Sequence, residues 1–302
     1  MNQEKYTYAC FGLIIESEIE LPELYAIEKK SPDVKIRQGN VPKHLPVIYG
    51  GGALFEIGPT DFLLRFEKIG SFRVENGKNI TVQSFEGTRP EEVRLFILGS
   101  VMGALLHQRG VLALHGSAIT NGQKSIVVIG KSSVGKSSVA AFFSQKGYEI
   151  ISDDITAIKF QNGTSLVSPG IPQIKLWRDV IEHLKMGNDL IKIRPDFEKY
   201  AKSIRNHYSS SPKLIDTIIH LDTRNTVDYN LSKITGFDKF NCLLSNTYRY
   251  QYLIDEDQQK RHFINISHLA KIIDLYKLER PSSQLDLFKL GLFIEKTFFN
   301  IG

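Results

Sequence analysis

Gly130, Gly135, Lys136 and Ser137 stand in the order G-x-x-x-x-G-K-S inside "IVVIGKSSVGKSSVAAFF", Ile126 to Phe143. Four apolar residues lead into the loop and an apolar-rich stretch leads out, and a core needs neither the second lysine nor the two glycines and four serines between them. A strand, such a loop and then a helix turn successive backbone N–H groups toward one point, and the positive end of the helix dipole is aimed at the same point. The expected occupant is phosphate, held by the backbone of Gly130, Lys131, Ser132, Ser133, Val134 and Gly135 with Lys136, Ser137 and Ser138. Lys136 would bring a mobile charge to the β- and γ-phosphates of ATP, and the Ser137 hydroxyl is a ligand for Mg²⁺. The alternative is a Ser-rich turn that caps a helix and leaves its lysine in solvent. The strand before the loop and the helix after it favour the phosphate loop.

Binding phosphate is not chemistry, which needs further groups at the neighbouring strand ends. In "YEIISDDITAI", Asp153 and Asp154 follow four residues of strand, where a carboxylate would emerge to hold the magnesium. Two adjacent carboxylates allow a division of labour: Asp153 faces the metal and Asp154 accepts the proton of an attacking hydroxyl. A strand-ending Asx turn is the structural alternative. His115, in "LALHGSAIT", ends an apolar run one strand earlier. It is either a hydrogen-bonded structural histidine or a protonatable ring that orients the second carboxylate or contacts the γ-phosphate.

The elements that must position these groups can be read from periodicity. Residues 1–87 form a β-rich module of short strands, "YACFGLIIES", "DVKIRQGNV", "ALFEIGP", "DFLLRFEKIG" and "SFRVENGKNITVQSF", with a hairpin turn at Glu75-Asn76-Gly77-Lys78. A linking helix over 88–110 opens on a capping box, Thr88 with Glu91, carries Val93, Phe96, Ile97, Val101, Leu105 and Leu106 on a helical period, and ends at Gly110. From 111 to 302 the alternation of strand, loop, helix and strand predicts an α/β core with some parallel pairing. Its later part includes a strand in "SPGIPQIKLW", a polar helical region from Arg178 to Arg205, a strand in "LIDTIIHLD", and helical stretches from Asp238 to Leu253 and from Gln284 to Phe298.

Composition excludes several classes. A chain of 302 residues with 42% hydrophobic content can bury a core in each of two domains. Cys10 and Cys242 are far apart and in no metal-ligand spacing, so neither a disulfide framework nor a cysteine zinc site is expected, and a reducing cytoplasm fits. The start "MNQEKYTYACFG" lacks the basic and apolar segments of an export signal, and no apolar run is long enough to span a bilayer. The net charge of +5 is spread among acidic residues rather than clustered, which argues against a nucleic-acid partner and suits a phosphate-bearing ligand or an acidic peptide.

His115-Gly116, the Ser132 to Ser137 loop, Gly147-Tyr148 and the pair Asp153-Asp154 together resemble the catalytic domain of HPr kinase/phosphorylase, a bacterial P-loop kinase that phosphorylates a serine on a small protein. The likeness covers residues 110 to 180, and more loosely the rest to the C-terminus. "YACFGLIIESEIELPEL", "SPGIPQIKLW" and "NTYRY" look like the HPr-kinase-like proteins encoded with lasso-peptide biosynthesis genes, which phosphorylate the C-terminal serine of a precursor peptide. The family usually has Gly at the place of Ser133, an acidic residue at that of Ser138, and Glu-Ile-Arg at that of Gln173 to Lys175, an exchange that argues against the reverse, phosphorolytic reaction.

The fold expected is therefore α/β, with a P-loop kinase core of HPr-kinase type and an N-terminal β-rich module. The resemblance implies an ATP- and Mg²⁺-dependent kinase of a peptide serine, with Lys136, Asp154 and His115 catalytic, Ser137 and Asp153 on the metal, and Gln173, Lys175 and Arg249 toward the substrate. It also implies assembly into a homo-oligomer through the catalytic domain. A kinase of a small metabolite hydroxyl and a nucleotide-binding switch are the alternatives, although no guanine-specific Asn/Thr-Lys-x-Asp motif occurs.

Overall fold

The computed structural model describes residues 4–187, 190–194, 197–282 and 286–299. The chain forms two units, Met1–Ala113 with Arg249–Ile264, and Leu114–Tyr248 with Asn265–Gly302.

Short alternating segments build the first unit. Strands β1 (Tyr6–Cys10), β2 (Leu13–Ser17), β3 (Tyr25–Ala26), β4 (Val34–Gln38), β5 (Gly50–Gly52), β6 (Phe55–Ile57), β7 (Asp61–Phe66), β8 (Gly70–Glu75) and β9 (Asn79–Ser84) make one sheet in the order β3-β1-β2-β4-β9-β8-β7-β6-β5. β4 runs parallel to both β2 and β9. The predicted single strand over Tyr8 to Ser17 is a hairpin, because Phe11 (φ 55°) and Gly12 (φ 70°) both take the left-handed conformation that a two-residue turn needs. Asn76 (φ 55°) and Gly77 (φ 60°) do the same in the expected hairpin of β8 and β9, whose cross-strand pairs Phe72 with Val82 and Val74 with Ile80 are buried.

The helix that follows is α1 (Pro90–Phe96), a π-helical turn over Ile97–Val101, and α2 (Met102–Gln108). Its cap lies one residue later than predicted. Arg89 N–H donates to Glu92 Oε2 at 3.3 Å, while the Thr88 hydroxyl donates to the Ile69 carbonyl at 3.1 Å. Pro90 fixes this register, since the first helical position is where its missing N–H is not needed. The returning segment adds the short turn Tyr250–Tyr252 to this unit, and the Tyr252 ring lies 5.0 Å from that of Phe55 and 4.6 Å from that of Phe62.

The second unit carries β10 (Leu112–Thr120), β11 (Ser125–Ile129), α3 (Lys136–Gln145), β12 (Glu149–Ser152), β13 (Ile155–Gln161), β14 (Thr164–Val167), β15 (Gln173–Trp177), α4 (Arg178–His183), β16 (Ile191–Arg194), β17 (Phe197–Ser203), β18 (Lys213–Leu214), β19 (Thr217–Arg224), β20 (Asn230–Ile234) and α5 (Gly236–Ser245). α6 (Glu256–Ile272) leads back into it, and β21 (Asp274–Pro281) and α7 (Leu287–Ile294) complete it. The main sheet has the order β18-β14-β13-β10-β11-β19-β21-β20, with β12 also paired to β10. β11, β19 and β21 are mutually parallel, as the alternation of elements predicts. Val128 of β11, Val139, Phe142 and Phe143 of α3, Ile219 of β19 and Leu290 of α7 share one buried core.

Three helical expectations need correction. Among its described residues, the region Arg178 to Arg205 is α-helical in α4 and then forms strands β16 and β17, which join β15 in a sheet of order β15-β17-β16; residues 188, 189, 195 and 196 lie outside the described residues. Non-local pairing wins there: β17 completes the backbone hydrogen bonds of β15, and Leu176 and Tyr200, opposite each other, are both buried. The stretch from Asp238 to Leu253 ends its helix at Ser245. The last predicted helix begins at Leu287, with residues 284 and 285 outside the described residues. Neither α6 nor β21 was expected. Among the described residues no helix is long and apolar enough to cross a membrane, and Cys10 and Cys242 are free thiols.

Candidate active site

β11 delivers the chain into the loop at Gly130, whose φ of 146° and closeness to β19 both demand glycine: a Cβ there would lie 2.3 Å from the Leu221 carbonyl oxygen. Ser133 (φ 64°) and Gly135 (φ 114°) turn the loop further through left-handed backbone. α3 then starts at Lys136 with no side chain capping its first turn, so its leading N–H groups point back into the loop. The Lys136 side chain is buried and folds over the loop, with Nζ donating to the carbonyls of Gly130 at 2.8 Å and Lys131 at 2.9 Å. Burial pushes its pKa down, against the pull of Asp153 and Asp154.

Asp153 and Asp154 occupy the break between β12 and β13, Asp154 with a left-handed φ of 72°. Asp153 is 5% exposed, and each of its oxygens accepts one hydrogen bond. Oδ1 accepts from Ser117 Oγ at 2.6 Å and Oδ2 from the Lys175 backbone N–H at 3.0 Å. Burial raises its pKa, partly offset by these two donors and by the nearby Ser137 hydroxyl. Asp154 is less enclosed. Its Oδ2 accepts from Lys175 Nζ at 2.9 Å, and its Oδ1 lies 3.5 Å from His115 Nε2. Burial would raise its pKa too, but Lys175, His115 and Lys199 outweigh it and hold the carboxyl well below the usual carboxylate range.

His115 and Ser117, two residues apart on β10, share a face and reach Asp154 and Asp153 respectively. Support for His115 comes from the start of "NTYRY": its N–H donates to the Asn246 carbonyl at 2.8 Å, and the Tyr248 ring meets it edge-on at 6.0 Å.

These groups converge on a cavity of about 370 Å³. Ser132, Ser133, Gly135, Lys136, Ser137 and Ser138 line it together with His115, Asp154 and Lys175. Gly130, Lys131, Val134 and Asp153 are not among the lining residues. Gln173 shares its strand face with Lys175 but does not border the cavity. Arg249 belongs to the first unit, where its guanidinium lies 6.0 Å from the centre of the Tyr252 ring.

Sequence reasoning missed Ser117, Trp177, Lys199 and Arg280, the last three of which line the cavity. The two-residue spacing from His115 to Ser117 and from Lys175 to Trp177 was an available signal. Lys199 and Arg280 are on strands that were not anticipated, so nothing local pointed to them.

Among the described residues no three His, Cys, Asp or Glu side chains cluster as a protein-only metal site. Ser137 and Asp153 nevertheless suit magnesium, which keeps most of its octahedral shell as water and phosphate and takes one or two protein oxygens.

No family model matches the chain, and no curated protein matches it. Among solved structures it is similar to the Hpr(Ser) kinase/phosphatase from Coxiella burnetii, at 12% identity and a TM-score of 0.33, over 62% of this chain and 94% of that chain.

Proposed function

We propose that this chain is an ATP-dependent kinase, holding the triphosphate on the 130–138 loop and transferring its terminal phosphoryl group to the serine hydroxyl of a peptide, the C-terminal serine of a lasso-peptide precursor being the acceptor the resemblance favours. The observation that carries the reading is that one cavity is bordered by both the glycine-lysine loop and a carboxylate, Asp154, held ionised by Lys175 and His115. Lys136 now spends its charge on two carbonyls, which an anionic oxygen would replace at little cost. Ser137 and Asp153 would hold Mg²⁺, which neutralises charge on the phosphates.

Asp154 accepts a hydrogen bond from the attacking hydroxyl and takes its proton as the new P–O bond forms and the bond from the γ-phosphorus to the departing ADP breaks. Its depressed pKa makes it a weak base, which is adequate where the transition state is loose and positioning supplies most of the rate. A C-terminal serine brings a carboxylate beside its hydroxyl, and Lys199 is a cavity cation able to meet it. The reaction draws on ATP, in keeping with a cytoplasmic location.

The test is incubation with ATP and Mg²⁺ and a panel of serine-terminated peptides, with their alanine-terminated and amidated counterparts, followed by intact-mass analysis. One added phosphoryl group on the serine peptides alone is the expected result. Asp154→Asn should lower the transfer rate by about a hundredfold or more with nucleotide binding retained; undiminished transfer removes Asp154 from the chemistry. Phosphorylation only of small-molecule alcohols in a parallel panel would reassign the acceptor, and turnover without any acceptor, with GTP preferred in thermal shift, would point to a switch.

A further inference from the structure

Arg280, the second-last residue of β21, lines the same cavity and is not part of the loop motif. Its residue surface is only 8% exposed. Nε donates to the Val134 carbonyl at 3.1 Å and Nη1 to the Pro281 carbonyl at 2.8 Å; among the described residues Nη2 has no partner and no carboxylate pairs with the guanidinium. Burial pushes its pKa down, and Tyr229 is the one group acting the other way. A guanidinium removed from water and facing neutral carbonyls alone is unfavourable unless an anion completes it. Two acids line the cavity: Asp154 is already matched by Lys175 and His115, and Asp179 makes no ion pair with the guanidinium among the described residues.

Topology gives the same direction. β11, β19 and β21 are parallel, so their carboxyl ends emerge on one edge: Ile129 stands beside His220, and Arg280 beside Thr223, three residues further along β19. In α/β sheets that edge is where ligands bind. Arg280 thus reaches back to the crest of the loop at Val134 from the end of a strand almost a hundred and fifty residues later.

We propose that Arg280 is a phosphate-binding residue of this site, its Nε turned to the Val134 carbonyl and its remaining N–H edge given to a phosphoryl oxygen of the bound nucleotide. The inference rests on the nucleotide reading above and adds a ligand that the loop motif does not contain.

Arg280→Gln and Arg280→Lys separate a ligand from a brace. The probe is the non-hydrolysable β,γ-imido analogue of ATP with Mg²⁺, followed by the fluorescence of Trp177, the single tryptophan of the chain and itself on the cavity wall; the melting temperature of the ligand-free protein is measured alongside. A phosphate ligand predicts that Arg280→Gln melts at or above the wild-type temperature without ligand, because an uncompensated charge is gone, yet binds the analogue about ten- to a hundredfold more weakly. Arg280→Lys should fall between the two. Unchanged affinity in Arg280→Gln overturns the proposal, and so does weaker binding accompanied by a lower ligand-free melting temperature, which marks Arg280 as a brace only. Should the glutamine variant not fold, Arg280→Met is read by the same two measurements. Wild-type protein that answers the analogue in neither readout sinks the nucleotide reading and this inference together, whereas wild-type binding with an unaffected variant sinks this inference alone.

Discussion

Asp153 and Asp154 are adjacent in sequence, yet their carboxyls are displaced in opposite directions, Asp153 upward by burial and Asp154 downward because Lys175, His115 and Lys199 outweigh burial. Stability should follow. A carboxyl held below its unfolded value near 4 contributes stability that is present above about pH 4 and lost as pH falls through its folded value. Asp153 acts with the other sign, withdrawing stability as pH rises from the ordinary carboxylate range through its raised pKa. Asp154→Asn should therefore lose less stability on acidification than wild type, and at neutral pH be less stable by about 1–3 kcal/mol, since the Lys175 ammonium, 12% exposed, loses its counter-charge. Urea midpoints from pH 7 to pH 3 check both, and superimposable curves would remove Lys175–Asp154 as a stabilising pair. How much of the site could be read beforehand also divides at this scale. Gly130 to Ser138 and the two aspartates are contiguous in sequence and carry their chemistry locally, whereas Lys199 and Arg280 reach the cavity only through strand pairings that no local pattern encodes.

Among the elements, α6 tests what periodicity can carry. Its buried positions, Gln258, His262, Ile266 and Leu269, keep helical spacing, but the first two are polar while Phe263 and Ile264 are exposed, so its apolar pattern runs counter to its burial. The hairpin at Asn76-Gly77 was legible for the converse reason, because turn chemistry and alternation agree there. The burial of His262 has a measurable consequence. Burial, with the charge of His107 adding to it, pushes its pKa down to about 4. An imidazole that titrates near 6.5 when unfolded then takes its proton more readily in the unfolded chain between about pH 4 and pH 6.5, so the fold loses stability as pH falls through that interval, by up to about 3 kcal/mol. His262→Gln should flatten the stability profile between pH 7 and pH 5 while leaving the slope below pH 4, where Asp154 titrates, as it is. An unaltered profile between pH 7 and pH 5 would show that His262 does not titrate with unfolding.

For the whole molecule, the order of the chain does not follow the order of its units. The polypeptide leaves the first unit after Ala113, builds most of the second, comes back for Arg249–Ile264 and leaves again. What holds that returning segment in the first unit is apolar: Tyr252 is 4% exposed and packs its ring on Phe55 of β6 and Phe62 of β7. Composition shifts along a sequence mark boundaries between consecutive segments and cannot reveal one that a later segment completes, so this arrangement is invisible until the contacts are known. It follows that residues 1–113 expressed alone should lack the cover over Phe55 and Phe62 of β6 and β7 and lose the cooperative unfolding expected of a complete domain. In the full chain, Tyr252→Ala removes a buried aromatic side chain and should weaken the first unit by about 3 kcal/mol or more. Hydrogen–deuterium exchange places that loss: amides of β6 and β7 should exchange faster in the variant, while those of β11 and α3 keep their wild-type rates. Equal acceleration in both units would mean that they unfold as one cooperative body, and no acceleration at β6 and β7 would mean that the first unit is complete without the returning segment.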